Sequence, residues 1–153
     1  MKYLVSVSMV LAIATPVGAQ IPGVRFGQSI AEVQAVVGNI TPTSISSSPG
    51  AQIIILDSGH IAFCDGAAVS MQYQLGESVN DFAAEVEEET IRTGEPTFAT
   101  DHFRTAEGQM STVTVRWDFP NYKLEIGMLQ TIRGLSVTRT VTVRDMGCLP
   151  GQF

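Results

Sequence analysis

Side chains with chemical capacity are few in this chain. His60 and Cys64 stand four residues apart, a separation that on a helix would bring an imidazole to a thiol and activate it as a nucleophile. The residues around them alternate as in a strand, where four residues span about 13 Å, so the two cannot share a proton. Asp101 and His102 are adjacent, and neighbours on an extended segment face opposite ways. They form no dyad by adjacency, and a solvated or locally hydrogen-bonded His102 is the better reading. Asp118 and Glu125 flank Pro120 and could meet across a hairpin as a carboxylate pair. Such a pair works as acid and base only where a cleft desolvates one member. Arg116 and Lys123 occupy the same hairpin, so a salt-bridged exposed face is the simpler expectation. No phosphate loop, dinucleotide-binding glycine pattern, HExxH, Gly-x-Ser-x-Gly or calcium loop occurs. Two Cys and two distant His show no ligand spacing, and neither cofactor nor metal is expected.

A binding surface is the expectation with more residues behind it. Alternation places Ser70, Gln72 and Gln74 with Thr112, Thr114, Arg116, Lys123, Glu125, Thr138, Thr140 and Thr142 on one side of a sheet. Gln72, Gln74, Thr114, Arg116, Lys123 and Glu125 are the candidate contact residues. A surface of many hydroxyls and few charges can bond a partner at small desolvation cost, although Thr on exposed strands also follows from β-propensity alone. Tyr73 and Trp117 fall on the opposite, apolar side and read as core.

The elements that must hold these residues show an internal repeat. The stretch from Gly27 to Val37 lines up without a gap on that from Gly76 to Val86. Ser29 and Ser78 are helix N-caps, with Glu32 and Asp81 placed to reach back to the cap N–H. Ile30, Val33 and Val37, then Val79, Phe82, Ala83 and Val86, recur with helical spacing. Gly38 ends the first helix, and Gly94 with Pro96 ends the second. The acidic run Glu85 to Glu89 is expected on the solvated face of the second helix.

After each helix the period becomes two. Strands are expected over Gln52–Asp57, His60–Cys64 and Ala67–Leu75, with Asp65-Gly66 as a strong hairpin turn. Strands over Ser111–Asp118, Tyr122–Gln130 and Leu135–Arg144 follow the second helix, and a short edge strand around Phe98–Arg104 precedes them. Arg139 breaks the alternation by landing on the apolar side, which requires a sheet edge, or a side chain reaching water or an acid. Asn39–Gly50 reads as a loop. The expected fold class is α+β: two tandem helix-plus-antiparallel-meander units (about 24–75 and 76–146), helices packed on one face of the sheet.

Length and composition bound the rest. The 153 residues, 44% of them hydrophobic, suffice for one domain with a real core. A net charge of −6 lacks the basic footprint that nucleic-acid phosphates demand, and two lysines cannot make a polybasic membrane patch. Residues 1–19 read as a secretory signal peptide: Lys2, an apolar run over Tyr3–Ile13, Pro16, then small residues before Gln20. That run is too short to span a bilayer, no Cys follows the cleavage point to take a lipid anchor, and residues 20–153 form a single exported domain. A periplasmic or secreted location makes a Cys64–Cys148 disulfide the default pairing.

The helix opened by Gly-x-Ser-aliphatic-x-acid-apolar, and the meander ending in Asp65-Gly66-Ala67-Ala68-Val69-Ser70-Met71-Gln72-Tyr73, resemble a bacterial exported superfamily. It includes the β-lactamase inhibitor protein and the small lipoprotein of the outer-membrane barrel-assembly machinery. The resemblance covers the pattern of most of Val24–Arg144 and implies a non-enzymatic protein-binding module using its sheet surface and loops. The chain departs from those relatives in lacking a lipid-bearing Cys and in having the loop Asn39–Gly50 where a second helix often stands. No partner-contacting loop matches residue by residue, so β-lactamase inhibition does not carry over. The functional expectation is an exported binding module for a protein or cell-envelope component. The alternatives are a small envelope hydrolase built around Asp101, His102, Asp118 and Glu125, and a passive structural envelope protein.

Overall fold

A computed structural model describes residues 21–44, 50–105, 108–143 and 148; for 98–105, 108 and 109 it describes the backbone only. The expected signal peptide, Arg144 and residues 45–49 of the expected loop lie outside the described residues. The elements run in the order α1 (Ile30–Val37), β1 (Thr43–Ser44), β2 (Ala51–Leu56), β3 (Gly59–Cys64), β4 (Ala67–Gly76), α2 (Val79–Thr93), β5 (Thr97–Thr105), β6 (Gly108–Asp118), β7 (Tyr122–Thr131) and β8 (Gly134–Val143).

Both helices begin where local chemistry dictates. The Ser29 hydroxyl accepts from the Glu32 N–H at 3.3 Å, and the Glu32 carboxylate accepts from the Ser29 N–H at 2.7 Å. Ser78 and Asp81 repeat the arrangement at 3.1 and 3.0 Å. The Ser29 hydroxyl bonded to Glu32, and that of Ser78 to Asp81, hold the two carboxyls below their ordinary range. The turn between β3 and β4 has both central residues at positive φ, Asp65 at 48° and Gly66 at 81°, the geometry that twisted hairpins favour.

The expectation of an α+β fold built as two tandem helix-plus-meander units is overturned. The strands form one continuous eight-stranded sheet, in the order β1-β2-β3-β4-β8-β7-β6-β5, every pairing antiparallel. Strand dominates the chain, and the helices are short, at 8 and 15 residues. β4 pairs with β8 from Ser70↔Thr142 through Gly76↔Val137, so the supposed boundary between units is a central ladder. α2 packs across this junction on β4, β7 and β8, and Phe26 packs against the apolar clusters of both halves. The physical reason is edge satisfaction: a separate meander would expose the backbone N–H and C=O groups of β4 and β8, and their direct pairing satisfies both.

Both helices lie on one face of the sheet. Beneath α1, Val33 packs with Ile54, Ile61, Phe63, Met71 and Tyr73. Beneath α2, Phe82 and Val86 pack on Val115, Trp117, Leu124, Ile126, Val137 and Val141. The Trp117 Nε1–H donates to the Gly94 carbonyl at 2.9 Å, fixing the end of α2 to β6.

Arg139 is buried on this face, 3% exposed, and so is Glu89, 1% exposed. The Arg139 guanidinium donates to Glu89 at 2.6 Å and lies 3.6 Å from Glu85, while Arg92 donates to the same Glu89 oxygen. The expectation that Glu85 to Glu89 form a solvated face holds for Glu87 and Glu88, which are exposed, and is corrected for Glu89, with Glu85 half-buried. The inward stripe of α2 includes Glu89, whereas Val79, 58% exposed, points away. A guanidinium in an apolar layer must be neutralised, and α2 turns Glu89 inward, with Glu85 beside it, to do so. Burial pushes the hydroxyl of neighbouring Tyr73 above its ordinary value, against the opposing charge of Arg139.

Cys64 is bonded to Cys148, with Cα atoms 5.7 Å apart and a sequence separation of 84. Two stability measurements follow. Arg139→Ala, which leaves Glu89 buried and uncompensated, is expected to lose about 3–5 kcal/mol in urea unfolding, and Arg139→Met with Glu89→Leu to recover most of it. Cys64→Ser with Cys148→Ser is expected to lose about 4–5 kcal/mol, matching the wild type in reducing agent.

Candidate functional site

The face opposite the helices carries no helix among the described residues, and register arranges its side chains in rows across the strands. One row runs Arg116, Glu125, Thr140, Gln72, His60 and Ile55; the next toward the β6–β7 turn runs Asp118, Lys123, Thr142, Ser70, Ala62 and Ile53. A third, on the other side of the first, runs Thr114, Gly127, Thr138 and Gln74.

Glu125 is clamped between two cations. Arg116 donates to its Oε1 from Nε at 3.0 Å and from Nη2 at 2.8 Å, while Lys123 Nζ lies 3.4 Å from Oε2. The glutamate side chain is 19% exposed and that of Arg116 38%, so Coulombic attraction here is only partly screened. The expectation of a salt-bridged hairpin face describes this arrangement. Phe119 and Tyr122 stack at 4.4 Å and close the turn.

Beside the clamp lies an open hollow of about 340 Å³, lined by Met110, Thr112, Thr114, Glu125, Gly127, Met128, Leu129, Thr138 and Thr140. Its cause is Gly127, which has no side chain in the middle of β7 while Thr114 and Thr138 stand directly opposite on the flanking strands. A Cβ built at Gly127 would meet only the Thr138 hydroxyl oxygen, at 3.4 Å. Room for a side chain therefore exists above this residue. A glycine inside a regular strand marks a weak point or a place of close approach, and that interruption was the sequence signal for the hollow. Its position between threonines depended on register.

Of the candidate contact residues, Thr114 and Glu125 line the hollow, and Arg116 and Lys123 hold Glu125 in place. Gln72 sits in the next strand opposite Thr140. Gln74 stands opposite Thr138 at the end of the third row and donates to Glu77 at 3.2 Å. The face is not uniformly open: Ser70 and Thr142 are buried and share a 2.9 Å hydrogen bond, at the end where Cys64 joins Cys148. The structure does not gather the residues of the alternative hydrolase site. Asp101 pairs with Thr112, and His102 with Ser111. Asp118 is six residues further along β6, about 20 Å away; the side chains of Asp101 and His102 lie outside the described residues. Cys64 is in a disulfide and is not available as a nucleophile. No group of three His, Cys, Asp or Glu able to hold a metal occurs among the described residues, and no described helix is long and apolar enough to cross a membrane.

No known protein family matches the chain, and no curated protein or solved structure does.

His60 stands half-buried on the open face, opposite Gln72. Burial alone lowers its pKa from the ordinary 6.5, because the charged ring is desolvated. The unfolded chain thus takes up the proton first as pH falls. Stability associated with His60 is complete above pH 6.5 and declines below it, through the lowered folded value. His60→Gln is expected to be less acid-sensitive than the wild type as pH falls below the ordinary 6.5, measured by urea midpoints at several pH values. Identical pH slopes would contradict this account of His60.

Proposed function

We propose that this protein is an exported binding module that contacts a protein or cell-envelope component through the helix-free face of its sheet, without catalysis. The observation that carries the reading is the division of labour between faces. Both helices and the apolar clusters occupy one side, leaving on the other a row of hydroxyls, a clamped carboxylate and a hollow. Threonines and a paired carboxylate can meet a partner with hydrogen bonds already organised, at little cost in side-chain entropy. The signal-like residues 1–19 and the Cys64–Cys148 disulfide support an oxidising, extracytoplasmic setting. The pattern-level resemblance to the exported superfamily of the β-lactamase inhibitor protein points the same way.

Affinity capture tests the reading. The oxidised protein is immobilised, envelope extract is passed at low and high salt, and bound proteins are identified by mass spectrometry. One stoichiometric partner is expected, lost with Arg116→Ala/Lys123→Ala and with Thr114→Lys/Thr138→Lys. It should be kept with Ile91→Lys, which alters an exposed residue of α2 on the other side. Clean columns at both salts, or a partner indifferent to the face variants, would overturn the proposal.

A further inference from the structure

The hollow over Gly127 has a chemistry of its own, and deepening the binding reading from it rests on that reading. Its walls grade from apolar to polar along β7. Met110 and Leu129 stand at one end, and Glu125 with Thr140 at the other. Glu125 is the single ionisable residue among the described residues lining it, and Arg116 and Lys123 already neutralise that carboxylate. An anion entering here would meet hydroxyls and a carboxylate, and a cation would compete with two cations already in place. The hollow therefore selects an uncharged ligand.

The floor is bare backbone at Gly127, flanked on both sides by threonine. A flat ring is the group that covers exposed strand backbone between two such walls, as aromatic side chains do over glycines in sheets. Aromatic groups also carry a large apolar area at small conformational cost. At the polar end, a carboxylate with two oxygens offers about four acceptor sites, of which Arg116 and Lys123 use three contacts. What remains is an acceptor that suits a hydroxyl donor. The Thr138 hydroxyl, 3.4 Å from where a Gly127 Cβ would be, can bond the same group or the ring edge.

We propose that the hollow over Gly127 is a binding site for a neutral phenolic ring. The ring lies on the Gly127 backbone between Thr114 and Thr138, its apolar edge faces Met110 and Leu129, and its hydroxyl donates to Glu125. A tyrosine side chain projecting from a protein partner and a free small phenol present this same group.

The test is a ¹H–¹⁵N chemical-shift titration of the oxidised full chain with p-cresol, N-acetyl-tyrosinamide and toluene. Shifts centred on Thr114, Gly127 and Thr138 are expected for both phenols, with toluene binding more weakly. Gly127→Val, which fills the hollow while favouring the strand, should abolish the shifts. Glu125→Gln should weaken p-cresol about tenfold and leave toluene unchanged. Thr138→Val keeps the side-chain shape and serves as the second variant if Gly127→Val does not fold; it too should weaken p-cresol. Stronger binding of N-acetyl-tyrosinamide than of p-cresol assigns the ring to a protein tyrosine, and the reverse order to a small phenol. Shifts absent, centred elsewhere, or unaffected by these variants would overturn the site. A captured protein partner whose binding survives Gly127→Val would overturn a partner tyrosine as the source of the ring and leave the open-face reading standing. Specific phenol shifts with no capturable partner would overturn the open-face reading and leave the phenol site standing.

Discussion

A guanidinium placed in an apolar layer organises this molecule. Arg139 lies on β8 at the centre of the sheet, opposite Tyr73 on one side and Ile126 on the other. It can remain there only with a carboxylate against it. Glu89 reaches it from α2, fifty residues earlier in the chain, and Arg92 adds a second donor to the same oxygen. The contact determines which way α2 is rolled, which hydrophobic residues it covers, and that it sits over the β4–β8 junction. One Glu89 oxygen and the Arg139 Nε are buried without a hydrogen-bond partner among the described residues. Such a contact contributes more to the choice of one arrangement over others than to net stability.

With the helices committed to one side, the other side of the sheet is freed. Strands buried on both faces read as continuous apolar runs. β6, β7 and β8 instead alternate, apart from Arg139 on the apolar side and Leu129 on the open one, and their polar positions come together as the Arg116–Glu125 pair, the threonine rows and the gap at Gly127. The ion pairs of the two faces are therefore unlike in kind. Arg139 with Glu89 is dry and holds the architecture, whereas Arg116 with Glu125 is half-exposed and holds one carboxylate in a fixed pose at the rim of a hollow.

Much of this was legible in the residues because much of it is local. The capping boxes at Ser29 and Ser78 involve partners three residues apart, and alternation within each strand set which side chains share a face. Asp65-Gly66 reported its turn through backbone preference alone. What escaped was long-range. Nothing in the period of β4 or β8 states that they pair with each other, so the repeated helix-and-strand pattern read as two units when the chain builds one sheet. Glu89 looked solvated because a charge on a helix is outward unless its partner is known. The hollow required the alignment of Thr114, Gly127 and Thr138, residues on three different strands that only register brings side by side.

The bond between Cys64 and Cys148 also changes how the molecule bears load. In an unlinked chain, tension entering beyond β8 would draw on that strand first and open the sheet at its centre, between β4 and β7. Here tension arriving at Cys148 passes through sulfur to β3, bypassing the chain between two cysteines that are 84 apart in sequence. β4 through β8, with α2 and the open face they support, form a closed loop outside the force path. Stretching between the chain ends would strain α1 and β1–β3 while leaving the helix-free face of the second half unloaded, its geometry preserved even when its surroundings are pulled apart.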